Sequence, residues 1–225
     1  MIKAEGIHKT FEDFTALDNI TCNISDGCIY GMVGSNGAGK STFLRVLSGI
    51  YKPDKGCAYI DDEPIYENPK VKENIVFVSD ELFFLPGATM SKMADFYSSI
   101  YDRFNYDRFL KLAELFELNI KKPIANFSKG MKRQASIILA LSTRAKYMFF
   151  DETFDGLDPV MRNLVKKLIC NDVAEYDTTV IVTSHSLREL EDICDHLALL
   201  HKGGLVLDSD VLELKTTQFK VQIAF

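Results

Sequence analysis

The hydrophobic rhythm of the chain changes along its length. In the first part apolar positions alternate: "ITCNISDG" sets Ile20, Cys22 and Ile24 on one face, and "CAYIDDEPI" reads as two short strands about an acidic turn. This predicts antiparallel structure. Between Ser91 and Leu118 the spacing becomes three and four residues, with Met93, Phe96, Tyr97 and Ile100 followed by Leu112, Ala113 and Phe116, the period of a helix. The second half carries three short apolar runs, "YMFF" from Tyr147, "TVIVTS" from Thr179 and "LALL" from Leu197, separated by segments of helical period such as "VMRNLVKKLI". Strands alternating with helices predict an α/β fold with a mainly parallel sheet and crossover helices. The last residues, "FKVQIAF", read as the start of another strand.

The length of 225 residues and an apolar share of 47% fit one domain with a substantial core. The 26 basic and 32 acidic residues leave a net charge of -6, which argues against a duplex-coating protein, so no nucleic-acid partner is expected. The five cysteines, Cys22, Cys28, Cys57, Cys170 and Cys194, are odd in number and form no Cys-x-x-Cys pair. Neither a disulfide framework nor a zinc site follows, and a reducing, cytosolic setting fits best. The amino terminus "MIKAEGIHKTFEDF" has no apolar signal core. No window approaches the roughly 18 apolar residues of a membrane span, so work at a membrane would need another chain to cross it.

Candidate chemistry begins at "VGSNGAGKST", where three glycines and a lysine stand between the apolar run "CIYGMVG" and the helical pattern "KSTFLRVLSG". Gly34, Gly37 and Gly39 permit backbone conformations closed to other residues, and Gly49 is placed to cap the helix. The amide groups of Ser35, Asn36, Ala38 and their neighbours would then face inward at a helix amino end, where the dipole favours a phosphate. Lys40 would reach the β- and γ-phosphates; the Ser41 hydroxyl, followed by Thr42, would ligate magnesium. A glycine-rich turn without ligand is the bland alternative.

"YMFFDET" ends an apolar strand in Asp151 and Glu152, at the edge where a doubly wound sheet places its chemistry. Neighbours on a strand point to opposite sides, so the two acids should differ in role: Asp151 holding magnesium, Glu152 orienting or deprotonating an attacking water. Two solvated acids at a strand end would be the alternative. "VIVTSHS" places His185 just past another strand, within reach of a γ-phosphate, although a lone histidine is more often structural. "NFSKGMKRQ" offers Ser128 and Gly130 at the opening of a second helix, a second anion-seeking amino end or an ordinary cap.

In this order the segments resemble the nucleotide-binding domain of ATP-binding cassette (ABC) transporters, from about Lys3 to Asp208. The resemblance implies a P-loop NTPase core with an N-terminal antiparallel β subdomain and a helical subdomain inserted at about 88–138. It makes residues 1–225 a single ATP-binding domain, with 209–225 as the start of a C-terminal extension. It implies that Phe11 in "HKTF" stacks on adenine and that Gly34 to Thr42 hold the phosphates. "FSKGM", Phe127 to Met131, is similar to the signature motif with Ser128, Lys129 and Gly130 at its centre, "DGLD" through Asp158 to the D-loop, and His185 to the switch histidine. In the family one subunit's signature covers the ATP held by another, so a head-to-tail homodimer around two ATP is implied. A separate membrane permease, docked on the inner face of the cell membrane, would be the partner.

Two departures stand out. Asp80 in "IVFVSDELFFLPGATM" occupies the Q-loop place where glutamine is usual, and a carboxylate there would bind magnesium directly or repel phosphate; direct binding is the expectation taken. Lys129 replaces a common glycine and adds a cation beside the shared phosphate, a pattern seen in two-component exporters. Phe83, Phe84 and Tyr97 are candidates for the permease-docking surface, with core packing as their other reading. The implied function is ATP hydrolysis driving export. A soluble ABC switch in translation or DNA repair would ordinarily carry two cassettes or long insertions, and a small-molecule kinase would leave "FSKGM", "DGLD" and His185 unexplained.

Overall fold

A computed structural model describes residues 1–217. The alternating opening segments form β1 (Ile2–Phe11) and β2 (Phe14–Ile24), an antiparallel hairpin in which Phe11 and Phe14 pair across its closed end. After β3 (Ile29–Val33) and α1 (Lys40–Leu47), β4 (Lys55–Ile60) and β5 (Glu63–Pro64) flank the expected acidic turn. Asp61 and Asp62 both take left-handed φ values there, 51° and 64°, as a two-residue hairpin turn demands. The order β2-β1-β4-β5 makes a first, wholly antiparallel sheet.

The chain continues through α2 (Pro69–Lys72), β6 (Ile75–Val78), α3 (Met90–Ser98) and α4 (Tyr106–Leu115). A 3-10 turn at Ile124–Asn126 leads into α5 (Lys129–Ser142). Then follow β7 (Tyr147–Phe150), α6 (Pro159–Tyr176), β8 (Thr179–Ser184), α7 (Leu187–Leu190), β9 (His196–His201), β10 (Gly204–Asp210) and α8 (Val211–Thr217). The second sheet has the order β10-β9-β3-β8-β7-β6, parallel except for β10 at its edge.

Both faces of this larger sheet are apolar, which is why "YMFF" shows no alternation. Tyr30, Met32, Tyr147, Phe149 and Ile181 point to one core, shared with the antiparallel sheet and with Phe43, Leu44 and Leu47 of α1. Ile29, Val76, Val78, Met148, Phe150, Val180 and Val182 point to the other, shared with α3 to α6. Period-two alternation thus sorts consecutive residues into two cores. Truncating a ring such as Phe149, fully buried, would cost about 3–5 kcal/mol.

The order of the sheet also positions the site. β8 lies between β3 and β7, so the carboxyl ends of these three parallel strands are neighbours. The glycine-rich loop leaves β3, Asp151 and Glu152 leave β7, and His185 leaves β8.

Three readings gain detail. The helical region from Ser91 to Leu118 is two helices, because the Asn105 side chain accepts a hydrogen bond from the Arg108 amide at 2.8 Å and starts α4 afresh. The hydrophobic period ran across the break, and Phe96 and Ile100 are exposed. The helix opened by Ser128 runs past residue 138 to Ser142, since Ile137 to Leu141 are all buried against the large sheet. In the region from residue 209, the described residues complete β10 and form α8, while "FKVQIAF" lies outside the described residues.

Candidate functional site

The loop from Gly34 to Gly39 delivers the chain into α1 with Gly39 at φ 108° and no side-chain cap. By contrast, the Ser128 hydroxyl accepts the Met131 amide at 3.2 Å to cap α5, and the Asp158 carboxylate accepts the Val160 and Met161 amides at 2.9 and 3.0 Å to cap α6. The amino end of α1 is therefore open to an external anion. Lys40 is buried and folds back over the loop, donating to the Gly34 carbonyl at 2.6 Å and the Ser35 carbonyl at 3.3 Å. Its ammonium also sits 3.0 Å from Glu152 Oε1.

Asp151 and Glu152 do diverge. Asp151 is fully buried; its Oδ1 accepts the Thr183 hydroxyl at 2.8 Å, and its Oδ2 has no hydrogen-bond partner. Burial pushes this carboxyl above the ordinary carboxylate range, with the Ser41 and Thr183 hydroxyls pulling the other way. A buried carboxylate oxygen without a partner, beside a hydroxyl, is the donor set a hard divalent cation fits. Glu152 adopts φ 46°, and this left-handed turn sends its side chain over the loop instead of continuing the strand alternation. Its Oε2 accepts from the His185 amide at 3.2 Å and stands 3.2 Å from His185 Nδ1.

Lys40, Glu152 and His185 line a cleft of about 780 Å³, large enough for a nucleotide. Of the residues expected from sequence, Ser35 to Thr42, Asp80, Glu152 and His185 line it. Gly34, whose carbonyl accepts from Lys40, and Asp151, which faces the Ser41 hydroxyl, are outside the lining but touch residues of it. Asp80 stands at the lining with its Oδ1 2.6 Å from Arg133 Nη2, so a cation would have to share that carboxylate with a guanidinium. Phe11 is not in the lining; it packs edge-on against Tyr51 at 5.3 Å between ring centroids, with Lys9 Nζ 5.5 Å from its centroid.

Ser128, Lys129, Gly130 and Asp158 also lie outside the lining of their own chain's cleft. Two lining residues lie outside the motifs read in the sequence, Phe14, which is 61% exposed, and Ala16; Asp155, the first residue of "DGLD", lines the cleft as well, its Oδ1 4.0 Å from His185 Nδ1. Phe14 was signalled only by being an aromatic residue in a polar hairpin turn, "FEDF". Phe84 and Tyr97 pack against the core, whereas Phe83 is 76% exposed.

Residues 17–155 match the family described as ABC transporter. The chain belongs to the ABC transporter ATP-binding family. The cassette is 32% identical to the ABC transporter ATP-binding protein YtrB of Bacillus subtilis over 225 residues, covering the whole chain and 77% of that protein. It is 31% identical to the linearmycin resistance ATP-binding protein LnrL of Bacillus subtilis, over 92% of the chain and 68% of that protein. Its fold is shared with a dimeric, post-hydrolysis structure of the ATP-binding cassette MJ0796 bound to ADP and Pi, with a TM-score of 0.84 and 22% identity over 94% of the chain and 99% of that one. The cassette is thus an ABC ATPase. No helix among its described residues is long and apolar enough to cross a membrane.

Proposed function

We propose that this cassette binds and hydrolyses ATP to drive a separate membrane-spanning permease, two copies closing head to tail over two nucleotides. The observation that carries this reading is Glu152, held between Lys40 and His185 on the rim of the cleft over the phosphate loop. The open amino end of α1 would take the β- and γ-phosphates, with Lys40 turning from its own loop carbonyls to meet them. Ser41 and Asp151 would hold magnesium, which when bound neutralises phosphate charge. Glu152 would orient the attacking water and accept its proton, and His185 would hold Glu152 and reach the γ-phosphate.

The paired arrangement is favoured because Ser128, Lys129 and Gly130 carry a helix amino end that does not reach their own cleft. A second copy could bring that end to the exposed side of the nucleotide, with Asp158 ordering the segment between them. Exposed Phe83, together with Phe96 and Ile100 on the helical part, offers apolar surface for a permease on the inner face of the cell membrane. Export is the direction we favour, on the strength of the likeness to a resistance protein.

The test is ATP turnover per mole of chain as chain concentration rises at saturating magnesium-ATP. A specific rate that climbs and then saturates supports the paired cassette. A rate independent of concentration in a chain that stays monomeric would overturn it.

A further inference from the structure

We infer that Arg133 is the positioning residue for Asp80, neutralising and aiming the carboxylate at the lining of the nucleotide cleft and tying that cleft to the helix that begins beyond Ser128. The inference rests on the nucleotide-binding reading of the cleft and adds a residue to it.

Asp80 stands two residues past β6 on the same cleft as Lys40 and Glu152. Glu152 and Asp155 already bring two carboxylates to that lining. A further bare carboxylate would oppose a polyanion there, because like charges repel most where water is partly excluded. The structure supplies the counter-charge from inside the protein. The Arg133 side chain is 2% exposed, and its Nη2 lies 2.6 Å from Asp80 Oδ1 while its Nη1 donates to the Ser79 carbonyl at 3.1 Å. A planar guanidinium that grips a side chain and the preceding backbone carbonyl fixes both the charge and the direction of the segment.

The grip is strong from the Arg133 side. Its Nε is buried without a hydrogen-bond partner, and among the described residues Asp80 is the acid paired with it. A buried guanidinium gives up its one counter-ion at high cost, so Asp80 is held there while 55% of its side chain stays open. Arg133 lies one turn beyond Lys129 on α5, whose later residues Ile137 to Leu141 are anchored under the sheet. The pair therefore joins residues 53 apart in sequence: the edge of one cleft and the root of the segment proposed to cover the other copy's nucleotide.

Binding of magnesium-ATP to the full chain, read by displacement of a fluorescent ATP analogue, tests this in four proteins: wild type, Arg133→Gln, Asp80→Asn and the double variant. Removing the guanidinium alone should weaken binding about tenfold, since Asp80 is left uncompensated, and adding Asp80→Asn should return affinity to within about threefold of wild type. Arg133→Lys, which keeps the charge without the fork, should fall between. Should Arg133→Gln fail to fold, Arg133→Lys alone and with Asp80→Asn gives the same comparison. Unchanged affinity in Arg133→Gln, or a deficit that Asp80→Asn does not relieve, would overturn the assignment and leave Arg133 a packing residue of α5.

Failure of wild type to bind magnesium-ATP would instead sink the nucleotide reading. The pair is then still read from the melting temperatures of the four nucleotide-free proteins. Less-than-additive shifts support it, and additive shifts refute it.

Discussion

The ammonium of Lys40 lies 3.0 Å from Glu152 Oε1, so the cation proposed for phosphate and the proposed base neutralise each other. Both side chains are largely buried, and the pair must part when a triphosphate takes the lysine. Glu152→Gln removes that competition as well as the base. Turnover should fall on the order of a hundredfold, while ATP affinity tightens by roughly threefold or more because Lys40 is released. Equilibrium binding beside steady-state turnover checks both. Weakened binding would mean that Glu152 supports the lysine instead of competing for it.

The adenine should find Phe14 before Phe11. Phe14 lines the cleft with most of its ring exposed, whereas Phe11 is engaged by Tyr51 and Lys9 outside the lining. An aromatic ring stacked on a base contributes about 1–3 kcal/mol by alanine substitution. Phe14→Ala should therefore raise the ATP dissociation constant about tenfold, and Phe11→Ala should change it by less than about threefold. The reverse ranking would restore the stacking role to Phe11.

Thiol chemistry should be selective. Burial pushes the Cys22 thiol up to about 12, aided by Asp208, and the Cys28 thiol up to about 11; Cys194 is also raised by burial. An elevated pKa disfavours the thiolate, the reactive form, so at pH 8 only roughly one Cys22 in ten thousand would be ionised even if reagent reached it. Reactivity should rise with pH without reaching a plateau below about pH 10. Half-buried Cys57 and Cys170 should alkylate with iodoacetamide before the three buried thiols in the native protein, as peptide mass mapping would show. Early labelling of Cys22 would reveal opening of the antiparallel sheet.

The parts of the site that were legible in sequence are those built by adjacent residues. The phosphate loop from Gly34 to Thr42 and the Asp151–Glu152 pair each lie on one strand end, where local spacing carries the geometry. His185 was legible because it ends an apolar run. What brings it to Glu152 is the placement of β8 between β3 and β7, which no single segment reveals. The Asp80–Arg133 pair was not legible, since a strand end and a helix turn 53 residues apart meet only through tertiary packing. Phe11 and Phe14 flank the same hairpin turn, and the choice between them depends on Tyr51. Apolar residues keep helical spacing across the break after α3, so in the sequence only Asn105, the cap of α4, marks it.

Two glycines of the phosphate loop should respond differently to alanine. Gly37 has φ 78° but open space where a Cβ would sit, so Gly37→Ala meets only the left-handed backbone penalty, about 1–2 kcal/mol. Gly39 has φ 108°, and a Cβ there would come 2.5 Å from the Ala16 carbonyl oxygen and 3.0 Å from Leu17 Cδ2. Neither neighbour can yield easily, because Ala16 is backbone of β2 and Leu17 is fully buried. Gly39→Ala should therefore cost more than about 3 kcal/mol and displace the hairpin that carries Phe14. Denaturant unfolding of the two variants separates the cases. Equal losses would mean that the loop, and not the β2 hairpin behind it, absorbs the clash at Gly39.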